Sequence, residues 1–265
     1  MPVGVTSGDR PLILSMPHVG DVFPGSTADG LVSRELALRD GDWGIPDLYS
    51  FAAQLGVTIV CAQVSRTVID VNRSPDGASL YPGQATTGLC PLTTFDGVAL
   101  YRPGCEPEKA EIARRRDTVF APYHAALAGE IARLRHAHPR VVVYDCHSIR
   151  SVVPRLFDGI LPILNIGTNG GTSAAPELEA RVTAACERSG LSRVVNGRFR
   201  GGYITRHYGQ PADGVHAIQM EIAMRGYLDE TALPWPPAYD PVRAAPLTAV
   251  LTDIFNQILN WVEQP

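Results

Sequence analysis

The stretch Val141-Val142-Val143-Tyr144-Asp145-Cys146-His147-Ser148 constrains this chain more than any other. A run of β-prone residues with no polar alternation reads as a central strand buried on both faces. The expected fold is therefore α/β, an open central sheet flanked by helices on both faces. In such a sheet, chemistry collects just past the carboxyl ends of the strands. The run ends in Asp, Cys, His and Ser, which places His147 at a strand tip with Asp145 one pleat behind it. A thiol nucleophile at Cys146 is the rival reading. Strand alternation points Cys146 and His147 to opposite faces, which argues against it.

The rest of the chain supplies the other layers. Apolar segments at 11–16, 57–62, 160–166, 191–196 and 215–223 read as further strands. Helical periodicity covers 44–56, 106–137, 174–189 and 247–262. Residues 20–40 and 74–105 are Gly- and Pro-containing loops, and a loop as long as the second is usually functional or part of a lid. Residues 232–246 are Pro-rich and read as a surface wrap. With 265 residues, no internal repeat and no evident linker, residues 1–265 read as a single catalytic domain.

Composition excludes several classes. A net charge of −4 gives no general affinity for nucleic acid or an anionic membrane. No apolar run approaches the ~20 residues of a membrane-spanning helix, and the first residues lack a signal-peptide pattern. The five cysteines, 61, 90, 105, 146 and 186, are an odd number at irregular spacing with no CxxC. This argues against a disulfide framework or a zinc knuckle and points to the reducing cytoplasm. The Gly-rich turn at 165–173 lacks the GK[ST] of a P-loop.

Three polar residues fall at strand ends: His18, His147 and Glu221. Asp42, just before a helix, or Asp21, three residues after His18, can join them. Two His and one carboxylate are a common ligand set for catalytic zinc, leaving the fourth position open. A further Glu, itself not a ligand, can move protons between water and a leaving nitrogen. Glu221 stands in an otherwise apolar strand and must be either paired or functional. Arg66, Asn72 and Arg73 lie within eight positions of one another. They can form a carboxylate receptor, since guanidinium groups bind carboxylates bidentately; a structural pair of Arg66 with Asp70 is the alternative. The set suggests hydrolysis of an amide bond on a small anionic substrate.

Longer stretches carry a resemblance. SMPHVG (15–20), SRTVIDVNRSPDGASLYPGQATTGLCPLTTFDG (65–97), DCHSIRSVVPRLFDG (145–159) and NGRFRGGYITRHYGQPADGVHAIQMEIA (196–223) resemble the N-formylglutamate amidohydrolase (N-formylglutamate deformylase) family of histidine degradation. The resemblance implies a zinc-carboxypeptidase-like fold, a mixed, largely parallel central sheet flanked by helices on both faces with one metal at its carboxyl edge. It implies His18 and His147 as metal ligands, Glu221 as general base, Asn72-Arg73 as a carboxylate-holding pair, and Arg66 near the scissile carbonyl. Carboxypeptidases use HxxE, where this chain has His18-Val-Gly-Asp21; the family pattern favours Asp42 as the carboxylate ligand, with Asp21 the alternative. Asp145 is then an orienting partner for a metal-bound His. The implied reaction is metal-dependent hydrolysis of N-formyl-L-glutamate to formate and L-glutamate, with Zn2+ favoured over Co2+ or Fe2+. A dianionic substrate calls for another cation, for which Arg150, Arg155 and Arg206 are candidates. Competing readings are another N-acyl-amino-acid amidohydrolase, a small carboxypeptidase, or a catalytically silent binder of acidic metabolites.

Overall fold

The computed structural model describes residues 1–79, 83 and 85–264. Residues 80–82 and 84, inside the sequence stretch 65–97 singled out above, lie outside the described residues, as does residue 265.

Seven strands form one sheet: β1 (Val3–Thr6), β2 (Leu12–Met16), β3 (Thr58–Ala62), β4 (Val141–Ile149), β5 (Leu164–Gly167), β6 (Arg193–Val195) and β7 (Val215–Ala223). Their order is β1-β3-β2-β4-β7-β5-β6. The inner strands β3, β2, β4 and β7 run parallel. β1 is antiparallel to β3 and β5 is antiparallel to β7, while β6 runs parallel to β5. All nine residues of β4 are buried, as an apolar strand covered on both faces requires.

Seven α-helices are described: α1 (Arg34–Leu38), α2 (Ile45–Leu48), α3 (Lys109–Arg115), α4 (Ala121–Ala137), α5 (Pro176–Arg188), α6 (Tyr203–Tyr208) and α7 (Pro241–Val262). Strand alternation sorts the side chains between two layers. Val142, Tyr144 and Cys146 of β4, with Ile218, Met220 and Ile222 of β7, pack against α2, α5 and α7. Val141, Val143 and Ala217 face α4 and α6. Phe255 of α7 is fully buried. It stacks on Tyr49 at 5.7 Å and meets Tyr144 edge-on at 4.9 Å. Such ring pairs add about 0.5–1.5 kcal/mol each beyond burial and tie α7 to the central strand.

Where sequence and structure differ, proline or glycine is the cause. The helix expected at 106–137 is interrupted by a π-helical turn at Arg116–Phe120. Pro122 follows it and cannot donate to the helical ladder, so the chain widens there. The helix expected from 44 to 56 is α2 followed by a 3-10 segment, Ser50–Leu55, ending at Gly56 with φ 67°. The last helix begins at Pro241 rather than 247. Asp240 caps it by accepting from the Val242 and Arg243 amides, and a first-turn proline suits the unpaired end of a helix. The segment that follows Gly202 is the helix α6. No described helix is long and apolar enough to cross a membrane.

Candidate metal centre and active site

The face of β4 that carries Val141 and Val143 ends in Asp145 and His147. On β7 the parallel register sets Gln219 beside Asp145 and Glu221 beside His147. β2 brings in His18 just past its carboxyl end. The chain then leaves the sheet and returns, and the Asp42 amide donates to the His18 carbonyl at 3.0 Å. That bond sets Asp42 beside both histidines.

Three electron-rich atoms converge. His18 Nδ1 and His147 Nδ1 are 3.1 Å apart. Asp42 Oδ2 lies 3.2 Å from His147 Nδ1 and 3.6 Å from His18 Nδ1. Each Nε2 faces a buried carboxylate: His18 meets Asp70 at 2.7 Å and His147 meets Asp145 at 2.9 Å. Despite its burial, Asp70 is held well below the usual carboxylate range by Arg66, His18 and Arg73. An ionised carboxylate only accepts, so each Nε2 donates and each Nδ1 is left with a lone pair. Lone pairs and a carboxylate this close need a cation among them. Burial works against protonation of His147, yet Asp145 and Asp42 push its pKa well above the ordinary value. A metal ion meets the same demand. Donor atoms at ~2.0–2.1 Å around a tetrahedral zinc lie about 3.3 Å apart, which these spacings fit. Asp42 Oδ1, buried and without a hydrogen-bond partner among the described residues, is an acceptor that coordination would satisfy. His18, Asp42 and His147 thus form a candidate metal site.

The orienting carboxylates carry a prediction. Asp145 also accepts from Ser15 Oγ at 2.9 Å, which fixes its own position. Asp145→Asn removes the charge behind the His147 imidazole and keeps the shape. Zinc affinity, measured by chelator competition, is expected to drop about 10–100-fold.

Glu221 stands beside this cluster. Burial pushes its pKa up to about 7; His147 counters that rise and Asp42 adds to it. Gln219 donates to Glu221 Oε2 at 3.3 Å. The Gln219 amide is itself fixed, because its Oε1 accepts from the Gly202 amide at 2.7 Å. A carboxyl near neutrality is suited to take a proton and return it. Cys146 faces the other layer, and burial pushes its thiol pKa well above the ordinary value, so it stays protonated.

One cavity opens onto His18, His147 and Glu221, and its wall carries Arg66, Asn72, Arg73 and Arg198. Arg66 makes the structural pair with Asp70 and also reaches the cavity. It donates to Asp70 Oδ2 at 2.6 Å, and it lines the cavity with its guanidinium 5.0 Å from the Phe95 ring. Arg73 is held by the Thr87 carbonyl and hydroxyl. Asn72 uses both ends of its amide internally: Oδ1 accepts from the Ile204 amide, and Nδ2 donates to Asp145 Oδ2 at 3.3 Å. The long loop thus contributes wall, through Ala85, Thr86, Thr87 and Phe95.

Other sequence candidates lie elsewhere. Asp21 is exposed, because Gly20 packs directly on the Gln63 backbone and the chain turns away to bridge Val22 with Val64. Arg150 binds Asp96 at 2.9 Å and lies 3.5 Å from Asp40. Arg155 is exposed beside Gly97, and Arg206 on α6 donates to the Gly201 carbonyl. None of these lines the cavity. Sequence reasoning missed Arg198 and Gln219, and it read Asp70 only as a partner for Arg66. Gln219 was signalled by its place on the same strand face as Glu221, and Arg198 only by lying within the stretch 196–223.

Known proteins share the sequence and fold of this chain. The N-formylglutamate amidohydrolase family model matches residues 10–228. The chain is 48% identical over 255 residues to the N-formylglutamate deformylase of Pseudomonas aeruginosa, covering 96% of this chain and 94% of that protein. It is 45% identical over 255 residues, with the same coverage, to the N-formylglutamate deformylase of Pseudomonas putida. The crystal structure of an N-formylglutamate amidohydrolase from Ralstonia eutropha JMP134 shares the fold. Its TM-score is 0.83 with 98% of both chains covered, at 22% identity. Matched by the family model over most of its length, and near half identical to two relatives along nearly all of it, this chain belongs to the N-formylglutamate amidohydrolase family.

Proposed function

We propose that the protein hydrolyses N-formyl-L-glutamate to L-glutamate and formate, with Zn2+ held by His18, Asp42 and His147. The observation that carries this reading is the meeting of those three donors at the edge of a cavity that His18, His147 and Glu221 line together with arginines. A zinc ion bound there supplies Lewis acidity, polarising a carbonyl and lowering the pKa of water towards ~7. Glu221 takes the proton from the attacking water and passes it to the departing amide nitrogen, so the base of the first step is the acid of the second. Arg66, fixed by Asp70 and the Phe95 ring, faces the oxygen on which charge develops. Arg73 holds a substrate carboxylate, while Asn72 donates to Asp145 and keeps that orienting carboxylate in place. We read residues 1–265 as one catalytic domain acting on a small anionic amino-acid derivative in the cytoplasm, at the end of histidine degradation. The test is a zinc-reconstituted assay with formyl-, acetyl- and succinyl-glutamate. Formate and glutamate released in equal amounts, with the formyl substrate preferred, support the reading. Faster turnover of the longer acyl groups overturns it.

A further inference from the structure

Arg198 and Arg73 are held by the same short piece of chain. Arg198 Nη2 donates to the Ala85 carbonyl at 2.9 Å, and its Nε donates to the Leu156 carbonyl at 2.7 Å. Arg73 donates through Nε to the Thr87 carbonyl at 3.0 Å and through Nη2 to the Thr87 hydroxyl at 3.1 Å. Arg73 also lies 3.9 Å from Asp70 Oδ2, and both arginines line the cavity. Residues 85 and 87 can lie no further apart than about 7 Å, so their spacing limits how far apart the two anchors stand. The carboxyl carbons of an extended glutamate are about 5 Å apart, and aspartate is one bond shorter. Ile149, Leu156 and Phe199 also line the cavity and offer an apolar surface for methylene groups.

Resting on the activity proposed above, we infer that Arg198 receives the side-chain carboxylate of the substrate, with Arg73 on the α-carboxylate, so that segment 85–87 gauges the length of a dicarboxylate. The order of the two follows from the chain. Arg73 adjoins Asn72, whose amide donates to Asp145, the partner of His147. The α-carboxylate is likewise the nearer of the two to the scissile nitrogen. Arg198 contacts Ala85, Leu156 and the Phe199 ring.

The test compares N-formyl-L-glutamate with N-formyl-L-glutamine, which keeps the shape and the α-carboxylate but loses the second charge. In Arg198→Ala, kcat/KM for the glutamate substrate falls about 100-fold, mainly through KM, because a charge-assisted contact is lost. The glutamine substrate changes by less than about threefold, since it never made that contact. The wild-type preference therefore collapses, and Arg198→Lys, which keeps the charge, retains part of it. Equal losses on both substrates, or a collapse of the preference in Arg73→Ala but not in Arg198→Ala, overturn the assignment alone. Wild-type protein that releases no formate from the glutamate substrate overturns the activity and the assignment with it.

Discussion

Glu221→Gln lowers kcat about 10²–10⁴-fold, the range of a positioned acid–base group, with KM and bound zinc nearly unchanged. The amide keeps the shape and the contact with Gln219 but cannot carry the proton. The pH profile adds a second readout. Burial raises the Glu221 pKa to about 7, and only the carboxylate is a base. Activity is therefore present above that value and is lost as pH falls through it. A dication beside Glu221 favours the carboxylate, so in the loaded enzyme this acidic limb lies at or below about 7. Residual activity of the glutamine variant lacks the limb. Stability runs the other way. A carboxyl whose folded pKa exceeds its unfolded value of ~4.3 binds its proton more tightly when folded. In the metal-free protein this contribution declines as pH rises from there to about 7. At pH 8 the glutamine variant is accordingly the more stable in denaturant unfolding, so its inactivity is not misfolding. Wild-type kcat in Glu221→Gln would sink the base role.

The second large effect belongs to the ligands. Asp42→Asn keeps an oxygen near the two Nδ1 atoms but removes the negative charge that balances a cation. His147→Ala removes a donor outright. Both variants are expected to lose zinc on dialysis, with an affinity loss beyond the ~10–100-fold typical of an orienting partner, and to lose formate release in proportion. Asp21→Asn is the control. Asp21 is exposed, and a change there shifts stability by no more than about 0.5 kcal/mol, leaving zinc and turnover intact. Retained zinc in Asp42→Asn, or zinc lost in Asp21→Asn, contradicts the proposed ligand set.

Much of this was legible in local patterns. The apolar run ending in Asp145 and His147 was readable as a buried strand because both of its faces are covered. The alternation along 215–223 put Gln219 and Glu221 on one face, and the register with β4 made that face part of the cavity. Local patterns failed where long-range geometry decides. Spacing alone could not choose between Asp21 and Asp42, because the choice rests on Gly20 packing against the Gln63 backbone and on the bond from Asp42 to the His18 carbonyl. Nor could spacing separate Arg198 from Arg150, Arg155 and Arg206. All are arginines in irregular or short elements, and only tertiary packing turns one of them into the cavity wall. The helix at Pro241–Val262 was read too short for a different reason, since prolines at 241 and 246 weaken a helical pattern that the Asp240 cap then starts.

The most direct test measures zinc content and formate release on the same chelator-treated protein as zinc is added back. Activity towards N-formyl-L-glutamate should rise in step with bound zinc and level off at one ion per chain, and Glu221→Gln should bind that ion without turning over. Full turnover by the zinc-free wild type, or zinc uptake that restores no formate release, would contradict the account.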